Sequence, residues 1–254
     1  MDHPKEFTHV SLCAGYGGID LGLKRAIPTL RTVAFSEIEA YACANLVAKM
    51  EAGQLDAAPI WTNLKTFPWG SFLGRVGILS GGYPCQPFSA AGKRLGAADP
   101  RHLWPFIADG IRAMRPQLCF FENVEGHISL GLRAVLSELE SIGYRCAWGI
   151  FSASEVGAPH QRKRVFILAH AESFGIQGFR PYWQQEPQTH GGETLSLRGS
   201  ENKNRHQRET VPAICGVDYA PSDWVDRMRL LGNGVVPATA HKAFVTLYNE
   251  LFLS

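Results

Sequence analysis

Apolar and polar positions alternate in short blocks over the first two-thirds of the chain, and each block predicts a strand or a helix. Thr8 to Cys13 is a short apolar stretch that feeds the turn Ala14-Gly15-Tyr16-Gly17-Gly18, and Ile19 to Ala26 then reads as a helix. Arg31 to Phe35 predicts a second strand, closed by Ser36-Glu37. Glu39 to Glu51 predicts a helix with Tyr41, Ala42, Leu46 and Met50 spaced to face a sheet. Trp61 to Leu64 ends a third strand, and Val76 to Leu79 is a buried strand closed by glycines. His102 to Met114 reads as helix, stopped before Arg115-Pro116. Leu118 to Phe121 is continuously apolar, as expected of a central strand covered on both faces. Leu132 to Ile142 predicts a helix, Tyr144 to Phe151 and Arg164 to Ala169 neighbouring strands, and Pro237 opens a last helix to about Phe252.

Alternating strands and helices of this kind predict an α/β domain with a mostly parallel sheet and helices on both faces. The texture changes after Ala171. Residues 172–222 lose periodicity and carry a basic patch from Arg198 to Arg208, which predicts an inserted, loop-rich region. The catalytic unit is then expected over 1–171 and 223–254.

Composition narrows the class only modestly. With 45% hydrophobic and 19% charged residues among 254, global disorder is not expected. A formal charge of +2 leaves any nucleic-acid surface to be a local one. The six cysteines form no C-x-x-C pair, so no metal site is expected, and several sit in apolar runs as free thiols would in a reducing cytosol. The polar start and the absence of long apolar runs predict a cytoplasmic protein without a membrane span.

Chemistry gathers at the ends of the predicted strands. Glycines after the first strand let a ligand approach the backbone, and Glu37, closing the second strand, is placed to accept hydrogen bonds from ribose hydroxyls. Asn63 reads either as a turn residue or as a ligand contact. Gly81-Gly82-Tyr83-Pro84-Cys85-Gln86-Pro87 holds a thiol on a stiff turn, either a packed cysteine or a nucleophile. Glu122 follows a buried run, where poor hydration raises a carboxyl's pKa; a helix cap is the other reading. In Gln161-Arg162-Lys163-Arg164, strand alternation directs Arg162 and Arg164 to one side and Lys163 to the other.

Together these stretches resemble the DNA (cytosine-5) methyltransferase family over nearly the whole chain. Pro84-Cys85-Gln86-Pro87-Phe88-Ser89 is similar to its catalytic loop, Phe121-Glu122-Asn123-Val124 to its E-N-V motif and Gln161-Arg162-Lys163-Arg164 to its Q-R-x-R motif. Cys13-Ala14-Gly15-Tyr16-Gly17-Gly18, Ser36-Glu37-Ile38 and Gly232-Asn233-Gly234-Val235-Val236-Pro237 resemble its first, second and last cofactor motifs. The resemblance implies a Rossmann-like S-adenosylmethionine-dependent fold and methyl transfer to C5 of a cytosine flipped out of double-stranded DNA. It implies Cys85 as the C6 nucleophile, Glu122 as the proton donor at N3, and Arg162 and Arg164 as supports of O2 and phosphate. Cofactor contacts are implied for Cys13, Ala14, Gly15, Gly17, Gly18, Glu37, Ile38, Asn63, Leu64, Gly81, Pro84, Asn233 and Val235. Contacts to DNA or the closed loop are implied for Gln86, Ser89 and Arg101.

Ser11 and Cys13 stand where the family reads D-x-F, Asn63 where an aspartate is common and Ile38 where an aromatic is frequent. These departures predict weaker cofactor affinity before loss of activity. An RNA (tRNA) cytosine-5 methyltransferase and a catalytically silent DNA-binding regulator are the other readings. A monomer is expected, with a cognate restriction endonuclease as a partner in a bacterial or phage-infected cell.

Overall fold

The computed structural model describes residues 6–84, 103–174 and 234–253. Cys85, Gln86, Ser89, Arg101, Asn233, the basic patch and Trp224–Met228 lie outside the described residues. The strands are β1 (Phe7–Leu12), β2 (Leu30–Ser36), β3 (Ile60–Trp61), β4 (Ile78–Gly81), β5 (Leu118–Val124), β6 (Tyr144–Ser152) and β7 (Lys163–Ala171). The helices are α1 (Gly18–Ala26), α2 (Ala40–Glu51), α3 (Trp104–Met114), α4 (Arg133–Ser141) and α5 (Pro237–Leu253).

The strands form one sheet in the order β3-β2-β1-β4-β5-β7-β6, in which β7 runs antiparallel to both neighbours and the other pairs are parallel. Chain order reverses direction between β1 and β4. Loops leaving the carboxyl ends of those two strands diverge and leave a crevice, the usual ligand position in an open α/β sheet.

Two apolar layers flank the sheet. On one face α3 and α4 contribute Trp104, Ile107, Ile111, Val135 and Leu139 to a core shared with Leu79, Phe121 and Ile167. On the other, Ile19 and Leu23 of α1 meet Phe244 and Leu247 of α5 over Phe120 and Phe166. The helices α1 and α5 touch almost backbone to backbone: a Cβ on Gly22 would lie 2.6 Å from the Pro237 carbonyl oxygen and 2.7 Å from Ala240 Cβ. Phe174, beyond the end of β7, also packs against the first of these cores. No helix among the described residues is long and apolar enough to cross a membrane.

Several boundaries differ from the sequence expectation for local reasons. The strand expected to end at Phe121 continues through Glu122 and Asn123, because β7 keeps pairing with β5 (Glu122 with Phe166, Asn123 with Val165) after β4 has ended at Gly81. Glu122 is thus a strand residue and caps no helix. The third strand stops at Trp61: the Asn63 side chain accepts from the Lys65 backbone N–H at 3.1 Å and turns the chain into a 3-10 segment. The strand Val76–Leu79 is displaced to Ile78–Gly81. Cys13 leaves β1 with φ of 49°. In α2 only Ala42 and Leu46 are buried, while Tyr41 and Met50 are half-exposed. Ahead of α4 the chain is already helical, as a π turn over Ile128–Leu132.

Candidate active site

The turn after β1 is held by the end of β2. Glu37, buried at the close of that strand, accepts from Gly15 N at 2.7 Å with Oε2, and from Ile38 N at 2.8 Å and Glu39 N at 2.9 Å with Oε1. Ala14 N donates to the Ser36 carbonyl at 3.2 Å, and Gly17 N to the Ala14 carbonyl at 2.8 Å. Gly15 and Gly17 take φ of 55° and 79°, conformations open to glycine at little cost. A Cβ on Gly15 would meet nothing within 4 Å, so this part of the turn faces open space. Ile38, just past the end of β2, is 75% exposed.

Other expected cofactor residues are placed differently. Asn63 is exposed and its carbonyl oxygen is engaged in its own turn. The Leu64 and Val235 side chains are in the cores, which leaves their backbones for any ligand contact. Gly81 is buried in the sheet, where a Cβ would lie 2.9 Å from the Leu12 carbonyl oxygen; Pro84 is exposed beyond it. Gly18 fits beneath Val235, whose carbonyl oxygen would be 2.1 Å from an added Cβ.

Across the crevice, β5 and β7 bring the acid and the cations together. Arg164 Nε lies 2.8 Å from Glu122 Oε1. Burial pushes the Glu122 carboxyl up to about 7, against the pull of Arg164 and Arg162. Arg162 precedes the first residue of β7 with φ of 26°, so strand alternation does not place it. Its charge nonetheless acts on Glu122, and burial beside Arg164 lowers its own pKa. Lys163 points elsewhere, 3.8 Å from Glu125. On the β4 side, a Cβ on Gly82 would come within 3.1 Å of Glu122 Oε2, so the exit of β4 passes directly against the acid. Asn123, next on β5, donates through Nδ2 to the Tyr83 carbonyl at 3.2 Å.

Three features were not singled out from sequence. Tyr16, inside the glycine turn, donates its hydroxyl to the Val235 carbonyl, and Lys49 sits 4.6 Å above its ring. Burial raises the Tyr16 hydroxyl to about 12, with Arg162 lowering and Glu122 raising it. Beneath the turn lies a buried polar group: Asp20 Oδ2 accepts from Ser11 Oγ at 3.0 Å, and His9 contacts Thr32 Oγ1 at 2.9 Å and Ser80 Oγ at 2.7 Å. A carboxylate thus meets position 11 from α1 although the strand itself carries serine there. Finally, Tyr83 makes a buried contact with His127, 3.1 Å from hydroxyl to Nε2. The available signal was a polar residue inside an otherwise apolar or glycine-rich block.

The chain is similar to known proteins in sequence and in fold. The family model for C-5 cytosine-specific DNA methylase matches residues 7–216. The type II methyltransferase M.NaeI of Lentzea aerocolonigenes is 32% identical over 223 residues, 82% of this chain and 52% of that protein. M.CviJI of Paramecium bursaria Chlorella virus IL3A is 30% identical over 254 residues, 98% of this chain and 61% of its own length. The chain therefore spans little more than half the length of these relatives. In fold it is similar to the Dnmt2 methyltransferase of S. pombe, with a TM-score of 0.55 and 24% identity over 67% of this chain and 52% of that one.

Proposed function

Because the chain belongs to the C-5 cytosine-specific DNA methylase family, we propose that it transfers a methyl group from S-adenosylmethionine to C5 of a cytosine flipped out of duplex DNA. The observation that carries this reading is the buried carboxyl of Glu122, poised near neutrality beside Arg164 and against the β4 exit that leads to Cys85.

The crevice residues fit the cofactor. Gly15 faces open space, Glu37 past the end of β2 keeps acceptor capacity beyond its three backbone bonds for a ribose hydroxyl, and exposed Ile38 offers an apolar surface for a base. When bound there, S-adenosylmethionine supplies an electrophilic methyl group on a sulfonium. Cys13 stands at the aromatic position of the first motif and has no ring, so a cation–π contact is not available from it.

Cytosine C5 is too weak a nucleophile to attack a methyl sulfonium unaided. In the proposed reaction the Cys85 thiolate adds to C6 and pushes electron density toward C5. Charge then accumulates at N3 and O2. The proton held by Glu122 relieves it at N3, and the Arg162 and Arg164 guanidiniums balance it from the O2 side. C5 would then attack the methyl carbon, whose bond to sulfur breaks to leave S-adenosylhomocysteine; a base takes the C5 proton as the Cys85 thiolate leaves C6, and the N3 proton returns to Glu122. Extruding the base costs a few kcal/mol of stacking and pairing; the polar composition and basic patch of residues 172–222 support assigning that segment to DNA recognition. The names of the relatives as type II methyltransferases support a cognate restriction endonuclease, testable as protection of methylated DNA from cleavage.

Duplex DNA carrying 5-fluorocytosine tests the mechanism, because fluorine cannot leave as a proton does. Incubation with S-adenosylmethionine should give an adduct that survives denaturation and is lost in Cys85→Ser. An adduct that persists in that variant, or none on any duplex, removes the assignment.

A further inference from the structure

Tyr83 leaves β4 two residues before Cys85 and is buried in three kinds of contact. Asn123 Nδ2 donates to its carbonyl at 3.2 Å. Its ring packs among Trp104, Phe121 and His127, with centroids 5.2, 5.9 and 5.7 Å away. Its hydroxyl lies 3.1 Å from His127 Nε2. An apolar pair such as phenylalanine and leucine would fill comparable space with no polar atom to satisfy. What the Tyr83–His127 bond adds is therefore direction, because a hydrogen bond restricts angle as well as distance.

The partners of Tyr83 are themselves seated. His127 opens the π turn Ile128–Leu132, and a Cβ on Gly131 would come within 2.9 Å of its Cε1, so the turn closes around the imidazole. Isolated π turns inside helices concentrate at functional positions. Trp104 is fixed from its far edge, where Nε1 donates to Glu138 Oε2 at 2.7 Å while Arg112 Nη2 lies 2.9 Å from Oε1 of the same carboxylate. The base of the Cys85 segment is thereby registered against β5, α3 and the π turn before α4.

We propose that the Tyr83–His127 hydrogen bond is a positioning device for the attack of Cys85: it sets the direction in which the chain leaves β4. The proposal rests on the cytosine-methylating reading above. Tyr83 and His127 are positioning residues, acting through the backbone that carries the thiol. Misplacing a reacting atom by about 1 Å costs on the order of a hundredfold in rate, so a fraction of that displacement is enough to be measured.

The test compares rates of covalent adduct formation on a random-sequence duplex containing 5-fluorocytosine. Tyr83→Phe and His127→Leu should each slow the adduct by about tenfold, with S-adenosylmethionine affinity unchanged. The double variant should be no slower than either single one, since both remove the same bond. His127→Gln, whose side-chain amide nitrogen occupies a similar place, should recover most of the rate. If His127→Leu fails to fold, Tyr83→Phe and His127→Gln still decide. Variants with a lowered melting temperature and a wild-type adduct rate would overturn the positioning role alone. A wild-type protein that forms no adduct would remove the methylating reading and the proposal with it.

Discussion

Glu122→Gln keeps the size of the side chain and an oxygen facing Arg164, but removes the proton that the cytosine ring is proposed to receive. Burial raises this carboxyl from 4.5 to about 7. That displacement amounts to roughly 3 kcal/mol against ionisation, at about 1.4 kcal/mol for each factor of ten. With a pKa near 7, about nine-tenths of the molecules carry the proton at pH 6 and about one-tenth at pH 8. Methyl transfer to duplex DNA at saturating S-adenosylmethionine should therefore fall about eightfold between pH 7.5 and pH 8.5. Glu122→Gln should be slower by roughly a hundredfold or more and lose that decline. The same group predicts a stability effect of opposite use. The folded protein holds this proton up to about 7, while the unfolded chain releases it near 4.5, so stability contributed by the neutral carboxyl is present below 4.5 and lost as pH rises through 7. Thermal melts of the wild type should drop across that window and those of Glu122→Gln should drop less. A Gln variant with the wild-type pH–rate profile would refute the assignment of Glu122 as proton donor.

Glu37→Ala removes the acceptor of Gly15, Ile38 and Glu39 N–H groups; calorimetric titration should show S-adenosylmethionine binding weakened by at least about tenfold, as expected for charge-assisted hydrogen bonds worth roughly 1.5–3 kcal/mol. Asp20 is raised by burial from 3.8 to about 6, so the folded state binds the extra proton between those values and loses stability as pH rises through them; Asp20→Asn should flatten the melting profile there. Phe244 of α5, fully buried edge-on to Phe120, should cost about 3–5 kcal/mol when changed to alanine, read from urea unfolding.

Much of the fold was legible because its signals are local. Apolar blocks of strand and helix length, glycine turns and Pro237 at a helix start each express short-range sterics and burial, and the structure places elements at nearly those positions. The glycine turn closed by Glu37 was legible for the same reason, since strand, turn and acid follow one another along a single βαβ unit. Asn63 shows the limit of such reading: both a turn role and a ligand role were open, and the hydrogen bond to Lys65 N fills the turn role.

The chain by itself determined the alternation of elements, the family motifs and the residue types available for chemistry, because these depend on neighbours in sequence. Tertiary structure alone decided how far β5 runs, since its last residues are held by an antiparallel partner more than 40 positions away, Glu122 opposite Phe166 and Asn123 opposite Val165. It also decided that Glu122 is buried against Arg164 and Gly82, that Asp20 reaches Ser11, and that Tyr83 meets His127. Each of those contacts joins separate elements, and the dehydration that sets a carboxyl's pKa exists only once the sheet and its two helical layers have closed around it.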